Sequence, residues 1–374
     1  MPDFTSALYL GLTHSSRSLP GWRQLSLGQP SLLKEPPGAE QLAAGLSQLQ
    51  GTEQAVVLPS TLHLFLDVFE YFAVAGTAIY MDSASYPIAR WGAERAALRG
   101  VPLASFGRHD PRDLLRQLKR GARQGLRPLV VSDGICPATG QLAPLGEYLE
   151  MIRHFSGLLL LDDTQALGVL GGDPGKRAPY GFGGGGSLRY LGLTGPEILP
   201  HVVIGASLAK AFGVPMAVLS GSRGLIQRFK NQSLSRLHCS PPSVAVIQSA
   251  QSALAINLRY GDSLRARLLA NVQRLQKGLG DLGLGADGGF FPVQTLQPIA
   301  GVTAPGLHQA LMQREVKTLL LKPRAESAAR LGMVINASHG FKDIDTCLEQ
   351  LEAILASGRH RSRQHTLMTR SPGR

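Results

Sequence analysis

The segment Ser207-Leu208-Ala209-Lys210-Ala211-Phe212-Gly213 sets one lysine among small and apolar residues. A lysine that is to form an imine must first lose its proton, and burial among Leu208, Ala209, Ala211 and Phe212 disfavours the charged form. Ser207, three residues earlier, offers a hydroxyl to a phosphate, and Gly213 lets the backbone bend away. A surface lysine near a strand end is the plain alternative, so the segment needs a second group beside it. Asp162 is that group. It closes the run Leu158–Leu161, which draws its carboxylate into low-dielectric surroundings, where it is costly without a positive partner. A protonated pyridine nitrogen is such a partner, and the pairing keeps the ring an electron sink. A capping or salt-bridged aspartate is the commoner use of this residue type.

The elements that must position these groups read as short continuous apolar runs. They are Ala55–Leu58, Ala78–Met81, Pro128–Ser132, Gly157–Leu161, Val202–Ser207 and Ala217–Leu219. Helical or loop segments separate them, among them a leucine-periodic stretch from Ala39 to Gln50 and an apolar helix from about Ser60 to Val74. Continuous runs imply strands buried on both faces, as in a mostly parallel sheet covered by helices. Ligands of such sheets sit outside the carboxyl ends of the strands, which makes Ser60, Asp133, Asp162 and Ser207 candidates. A long helical stretch follows Pro241–Pro242. Residues 290–355 then alternate strand-like and helical runs, the look of a smaller α+β domain. The expected division is an irregular arm at 1–37, a large domain at 38–255, a small C-terminal domain at 256–358 and a basic tail at 359–374.

Composition excludes several classes. Hydrophobic residues make up 44% of the 374 and charged residues 17%, a globular balance. The formal net charge is +12, but five of the arginines fall in 359–374 without an acid, and no aromatic-basic pattern points to nucleic acid. Three scattered cysteines, Cys136, Cys239 and Cys347, argue against a disulfide framework and a structural zinc site. No apolar run approaches a bilayer span, and the first residues do not read as a signal peptide, so a cytoplasmic protein is expected.

The runs LDDTQALGVLG (161–171) and SLAKAFG (207–213) resemble the α-oxoamine synthases, a family that includes 8-amino-7-oxononanoate synthase and glycine C-acetyltransferase. Its pattern is D-[DE]-A-H-[GS]-x-G-x-x-G, followed some forty residues later by [ST]-x-x-K-x-x-G. YLGL (9–12), VVSDG (130–134), APL (143–145) and HGFKDID (339–345) fall in the expected order, so the likeness extends from about Tyr9 to Ile354. The resemblance implies an α/β fold of fold type I, a homodimer and pyridoxal 5'-phosphate as cofactor. It further implies that Lys210 carries the cofactor and later moves the substrate's α-proton, and that Asp162 pairs with the pyridine nitrogen. Ser60, Thr61 and Leu62 would present backbone amides to the phosphate, and Ser207 its hydroxyl. Tyr86 takes the place of a histidine stacked on the ring, and Asp133 that of a glutamate near the site. Gln165 stands where the pattern has histidine; it can donate a hydrogen bond but cannot shuttle a proton.

Other departures concern the substrate. Ala7 stands where an asparagine is usual and Gly332 where an arginine binds the amino acid's carboxylate. Lys322, Arg324 and Arg330 are cations that could substitute. The glycine run Tyr180–Ser187 is read as a flexible loop, with an anion-cradling nest as the sharper alternative. His63 and His109 are given no role. The expected activity is a transferase acting on an amino acid or amine through an external aldimine, with acyl-CoA or a carrier-bound acyl group as second substrate. An aminotransferase of the same fold, or a cofactor-binding partner protein without turnover, are the alternatives.

Overall fold

The computed structural model describes residues 1–14, 25–321 and 328–368, with side chains to residue 357. The chain divides into two compact units. One comprises residues 10–136 and 141–265, the other residues 1–9, 137–140 and 266–374.

The larger unit is built on seven strands. In chain order its elements are α1 (Ala39–Gln50), β1 (Gln54–Leu58), α2 (Thr61–Phe72), β2 (Thr77–Asp82), α3 (Pro87–Leu98), β3 (Leu103–Phe106), α4 (Pro111–Ala122) and β4 (Arg127–Asp133). A two-stranded ribbon of β5 (Ile135–Cys136) and β6 (Gln141–Leu142) follows, then α5 (Leu145–His154), β7 (Leu158–Asp162), α6 (Ser187–Tyr190), β8 (Val202–Ser207), β9 (Ala217–Gly221), α7 (Arg223–Gln232) and α8 (Leu234–His238). The sheet order is β1-β9-β8-β7-β4-β2-β3, with only β9 running against its neighbours. Each apolar run read from the sequence is one of these strands. Their residues divide between two buried clusters: Ile79, Met81, Val131, Leu160 and Leu219 lie in one, Ala78, Val130, Leu159, Leu161 and Ile204 in the other. Helices on both faces therefore make the strands apolar throughout rather than alternating.

Register aligns the strand ends that matter. Asp133 pairs with Asp162 across β4 and β7, and Asp162 with Gly205 on β8. Ala217 of β9 faces Ser207 on one side and Leu58 of β1 on the other, which brings Ser60 and the start of α2 to the same edge.

The smaller unit carries an antiparallel sheet ordered β10 (Ala286–Asp287), β11 (Val293–Leu296), β13 (Arg330–Val334), β12 (Leu319–Leu321), with α10 (Ala304–Gln313) and α11 (Phe341–Met368). The helix α9 (Val244–Asp281) belongs to the larger unit up to Arg265 and to the smaller from Ala266. Two expected boundaries fall elsewhere. Residues 1–9, the start of the irregular arm expected at 1–37, belong to the smaller unit: Phe4 and Tyr9 are buried, Val334 N–H donates to the Phe4 carbonyl at 2.8 Å, and Ala337 N–H to that of Tyr9 at 2.8 Å. The helix α11 passes Arg359 without a break and ends at Met368.

Candidate active site

Seven of the nine expected site residues meet in one cavity of about 150 Å³ at the carboxyl edge of the large sheet: Thr61, Tyr86, Asp133, Asp162, Gln165, Ser207 and Lys210. Thr164 and Ile88 complete its wall. Ser60 and Leu62 are not among the lining residues. Ser60 caps α2, and its hydroxyl is held by His63, with Oγ 2.8 Å from Nδ1 and accepting the His63 N–H at 3.5 Å. His63 thus has a structural use at the helix start. The first amides of α2 remain an anion-attracting end in the manner of any helix N-terminus.

The titratable groups hold one another in unusual states. Burial holds the Lys210 amine below the ordinary lysine range, while the Asp162 charge opposes this. Burial raises Asp162, and the Thr164 hydroxyl and amide, then Lys210, pull it back. Asp133 stands well above the usual carboxylate range, first through burial and then through repulsion from Asp162, despite accepting the Tyr86 N–H at 3.2 Å. Both strand-end carboxyls are raised, and of the two Asp162 is the one with the Lys210 charge beside it to draw it back. A buried carboxylate is thus left for a cationic partner, next to a lysine that gives up its proton easily.

Asp163 serves the scaffold. Its N–H donates to the Gly205 carbonyl at 2.8 Å, and its carboxylate accepts the Ser187 amide at 3.0 Å and hydroxyl at 2.5 Å. Burial raises it to about 6 against those bonds. The glycine run ending at Ser187 is neither a loose loop nor an open nest. Gly168 N–H donates to the Gly184 carbonyl and Gly186 N–H to that of Leu170, at 2.8 and 2.7 Å. Gly183 N–H donates to Asp262 Oδ1 at 2.9 Å, and its carbonyl accepts from Asn257 Nδ2. Arg265, buried, donates to the Gly168 carbonyl and to Asp262. The expectation failed because these partners lie on a helix some eighty residues away.

With Ile88, Thr164 is a wall residue that the sequence reading passed over. Its signal was present: it replaces the alanine in the third place of D-[DE]-A-H. The positions to which the resemblance assigns the substrate's carboxylate, Ala7 and Gly332, lie in the smaller unit. Gly332 sits on β13 opposite Leu319, and a Cβ there would stand 2.5 Å from Leu321 Cδ1, so the space beside it is taken by leucine. Arg330 donates to Asp287 Oδ2 at 2.7 Å and to the Leu296 carbonyl at 3.1 Å. Lys322 and Arg324 lie outside the described residues.

The cavity fits pyridoxal phosphate by its donor set: an amine with lowered proton affinity, a buried carboxylate for the ring nitrogen, and hydroxyls at Thr61 and Ser207 with a helix start for the phosphate. When bound, the group supplies an electron sink for bonds to the α-carbon. A doubly covered, mostly parallel sheet that brings such a lysine and aspartate to its carboxyl edge defines the fold type I pyridoxal-phosphate transferases. The family model for aminotransferase class I and II matches residues 29–340. The chain belongs to that family.

Among curated relatives, 8-amino-7-oxononanoate synthase of Methylococcus capsulatus is 28% identical over 308 residues, covering 82% of this chain and 75% of the relative. The enzyme of the same name from Acidithiobacillus ferrooxidans is 27% identical over 362 residues, covering 94% and 88%. Among solved structures, serine palmitoyltransferase of Sphingomonas wittichii superposes with a TM-score of 0.81 at 18% identity, covering 94% of this chain and 86% of that one. The protein is a pyridoxal-phosphate-dependent transferase resembling the α-oxoamine synthases.

Proposed function

We propose that this protein joins an acyl group to the α-carbon of an amino acid or amine, with Lys210 and Asp162 as its catalytic pair. The observation that carries the reading is their meeting in one buried cavity beside Thr61 and Ser207. Lys210, easily deprotonated, is the amine that would hold the cofactor and, once the substrate's amine has displaced it, the base that would take and return the α-proton. Asp162 holds the ring nitrogen's proton in place. Tyr86 offers a ring face for stacking, and Gln165 a hydrogen bond near the ring hydroxyl. The first amides of α2, at Thr61 and Leu62 behind the Ser60 cap, receive the phosphate with Ser207. Asp133, its carboxyl raised by burial, faces Asp162 across the strand ends. The names of the relatives support acyl transfer: a serine palmitoyltransferase joins, by its name, a palmitoyl group to serine. The donor is an acyl thioester, on CoA or a carrier. The reading includes a homodimer in the cytoplasm; separately, none of the described helices is long and apolar enough to cross a membrane.

Two measurements test this together. Borohydride reduction of the purified yellow protein should fix the cofactor on Lys210, as read by peptide mapping; a label on another lysine overturns the assignment. Candidate amino acids in deuterated water should exchange their α-proton, and one of them should release thiol from an acyl thioester. Exchange without thiol release, together with a keto-acid product, would mark an aminotransferase instead.

A further inference from the structure

A second cavity lies at the amino edge of the large sheet, at the far end of the strands from Lys210. Its volume is about 510 Å³, against about 150 Å³ at the catalytic cavity, and it falls within the range of small-molecule sites. The entries to four adjacent strands wall it: Thr77 on β2, Arg127 on β4, Leu158 on β7 and His201 just before β8. Tyr71 at the end of α2 and Arg228 on α7 close it. Strand β4 is seven residues long, which puts roughly 20 Å between this cavity and the strand-end carboxyls. Arg127, Arg228 and His201 line the cavity, and no acid does. Glu70, next to Tyr71 in the chain, is paired with Arg95 of α3 and Arg99 just after it. Among the described residues, no carboxylate pairs with Arg127 or Arg228. Arg228 Nε donates to the Tyr71 hydroxyl at 3.3 Å, a bond that leaves the Nη groups able to grip an oxyanion. His201 Nδ1 donates to the Gly157 carbonyl at 3.2 Å, which fixes its ring. Tyr71 is held edge to face by Phe72 and Phe229, with ring centroids 4.6 and 6.3 Å away.

We propose that this cavity binds a phosphate monoester with a flat apolar body, of the size of a mononucleotide. A guanidinium keeps its charge at any working pH, and its planar fork matches phosphate oxygens. Two such charges with no facing acid suit a dianion better than a single carboxylate. Ser156 and Gln232 on the same wall supply neutral donors for the remaining oxygens. The other part of the lining is apolar, with Phe72, Pro128 and Leu225 beside the Tyr71 ring. That surface gains from covering by a flat body and gains nothing from a bare anion. The site is independent of the roles given to Lys210 and Asp162, because the length of the sheet lies between the two cavities.

The test is calorimetric titration of the cofactor-loaded protein, its catalytic cavity already occupied, with AMP, phenyl phosphate, adenosine and inorganic phosphate. AMP and phenyl phosphate should bind saturably, and more weakly as salt rises. Adenosine and inorganic phosphate, each lacking one half of the ligand, should bind at least about tenfold more weakly than AMP. Arg127→Gln and Arg228→Gln should each weaken AMP about tenfold, the loss of one charge-assisted contact, and the double variant should lose saturable binding. Arg116→Gln, on the exposed face of α4, should match the wild type. Arg127 and Arg228 are exposed, so these variants should keep the wild-type circular dichroism. Absence of saturable binding by both AMP and phenyl phosphate overturns the proposal. Binding that survives the double substitution does so too, since the ligand would then sit elsewhere. Adenosine as tight as AMP would show that the arginines hold no anion. Inorganic phosphate as tight as AMP would show that no body is recognised. Either result overturns the ligand class assigned here.

Discussion

Lys210 and Asp162 are each costly where they stand. Burial works against both charges, and each lowers the other's cost by the charge it carries. Removing one partner leaves the other buried and uncompensated. Asp162→Asn is a near-isosteric change that keeps the bond from the Thr164 amide but cannot hold a ring nitrogen protonated. It should leave the fold intact by circular dichroism, weaken pyridoxal phosphate about 10- to 100-fold by dialysis, and abolish α-proton exchange. Wild-type exchange in this variant would remove Asp162 from the mechanism. Both residues were legible in the sequence because a polar group ending a run of four leucines, or set among small apolar residues, is out of place without a use. The hydrogen bonds around them were not. Thr164 bonds to Ser207 and Asp163 to Ser187, partners that only the folded sheet brings near.

Elements were legible in proportion to their burial. The inner strands of the large sheet are covered on both faces and read as unbroken apolar runs. The strand β3 was missed. It is an edge strand, its Leu103, Ala104 and Ser105 are not fully buried, and so its sequence carries neither a run nor an alternation. The glycine run failed for another reason: its order comes from Asn257, Asp262 and Arg265 on α9, and nothing local records that. That account can be checked by paired substitutions. Gly184 has φ +75°, and a Cβ there would lie 2.5 Å from Arg265 Nη1 and 2.9 Å from the Gly168 carbonyl oxygen. Gly184→Ala should therefore cost about 1–3 kcal/mol, read from the denaturant midpoint. Gly172 has no positive φ, and nothing lies within 4 Å of an added Cβ. Gly172→Ala should change stability by less than about 0.5 kcal/mol. Equal effects would mean that the run is a loose loop after all.

At the scale of the molecule, two features bear on assembly and substrate. Leu62, Tyr86 and Trp91 are 40%, 49% and 56% exposed, the first two at the starts of α2 and α3 and Trp91 a turn further along α3, two helices that pack on each other. Apolar surface at the rim of a site is expected to be covered by a second copy. Sedimentation at micromolar concentration should show a dimer, and Trp91→Glu should shift it toward monomer with loss of bound cofactor; a fully active monomer would refute this. The second feature is the substrate's carboxylate. The resemblance assigns its anchors to the positions of Ala7 and Gly332, and neither side chain can bind an anion. Leu321 fills the space beside Gly332, and Arg330 is engaged by Asp287 and the Leu296 carbonyl. A charge-assisted pair supplies orientation as well as affinity, and orientation sets which bond to the α-carbon stands perpendicular to the ring. A small amino acid with no other handle would therefore be held loosely and react slowly. Glycine, alanine or serine with a simple acyl-CoA should give kcat/KM below about 10³ M⁻¹ s⁻¹, against ~10⁴–10⁸ for most enzymes on their own substrates. A substrate with a larger side chain or a carrier-borne acyl group has binding energy to spend elsewhere, and should exceed the small pairs at least about tenfold. Steady-state kinetics over a panel of free amino acids, acyl-CoAs and acyl carriers decides the matter. Efficient turnover of any small free pair would show that orientation survives the loss of both anchors.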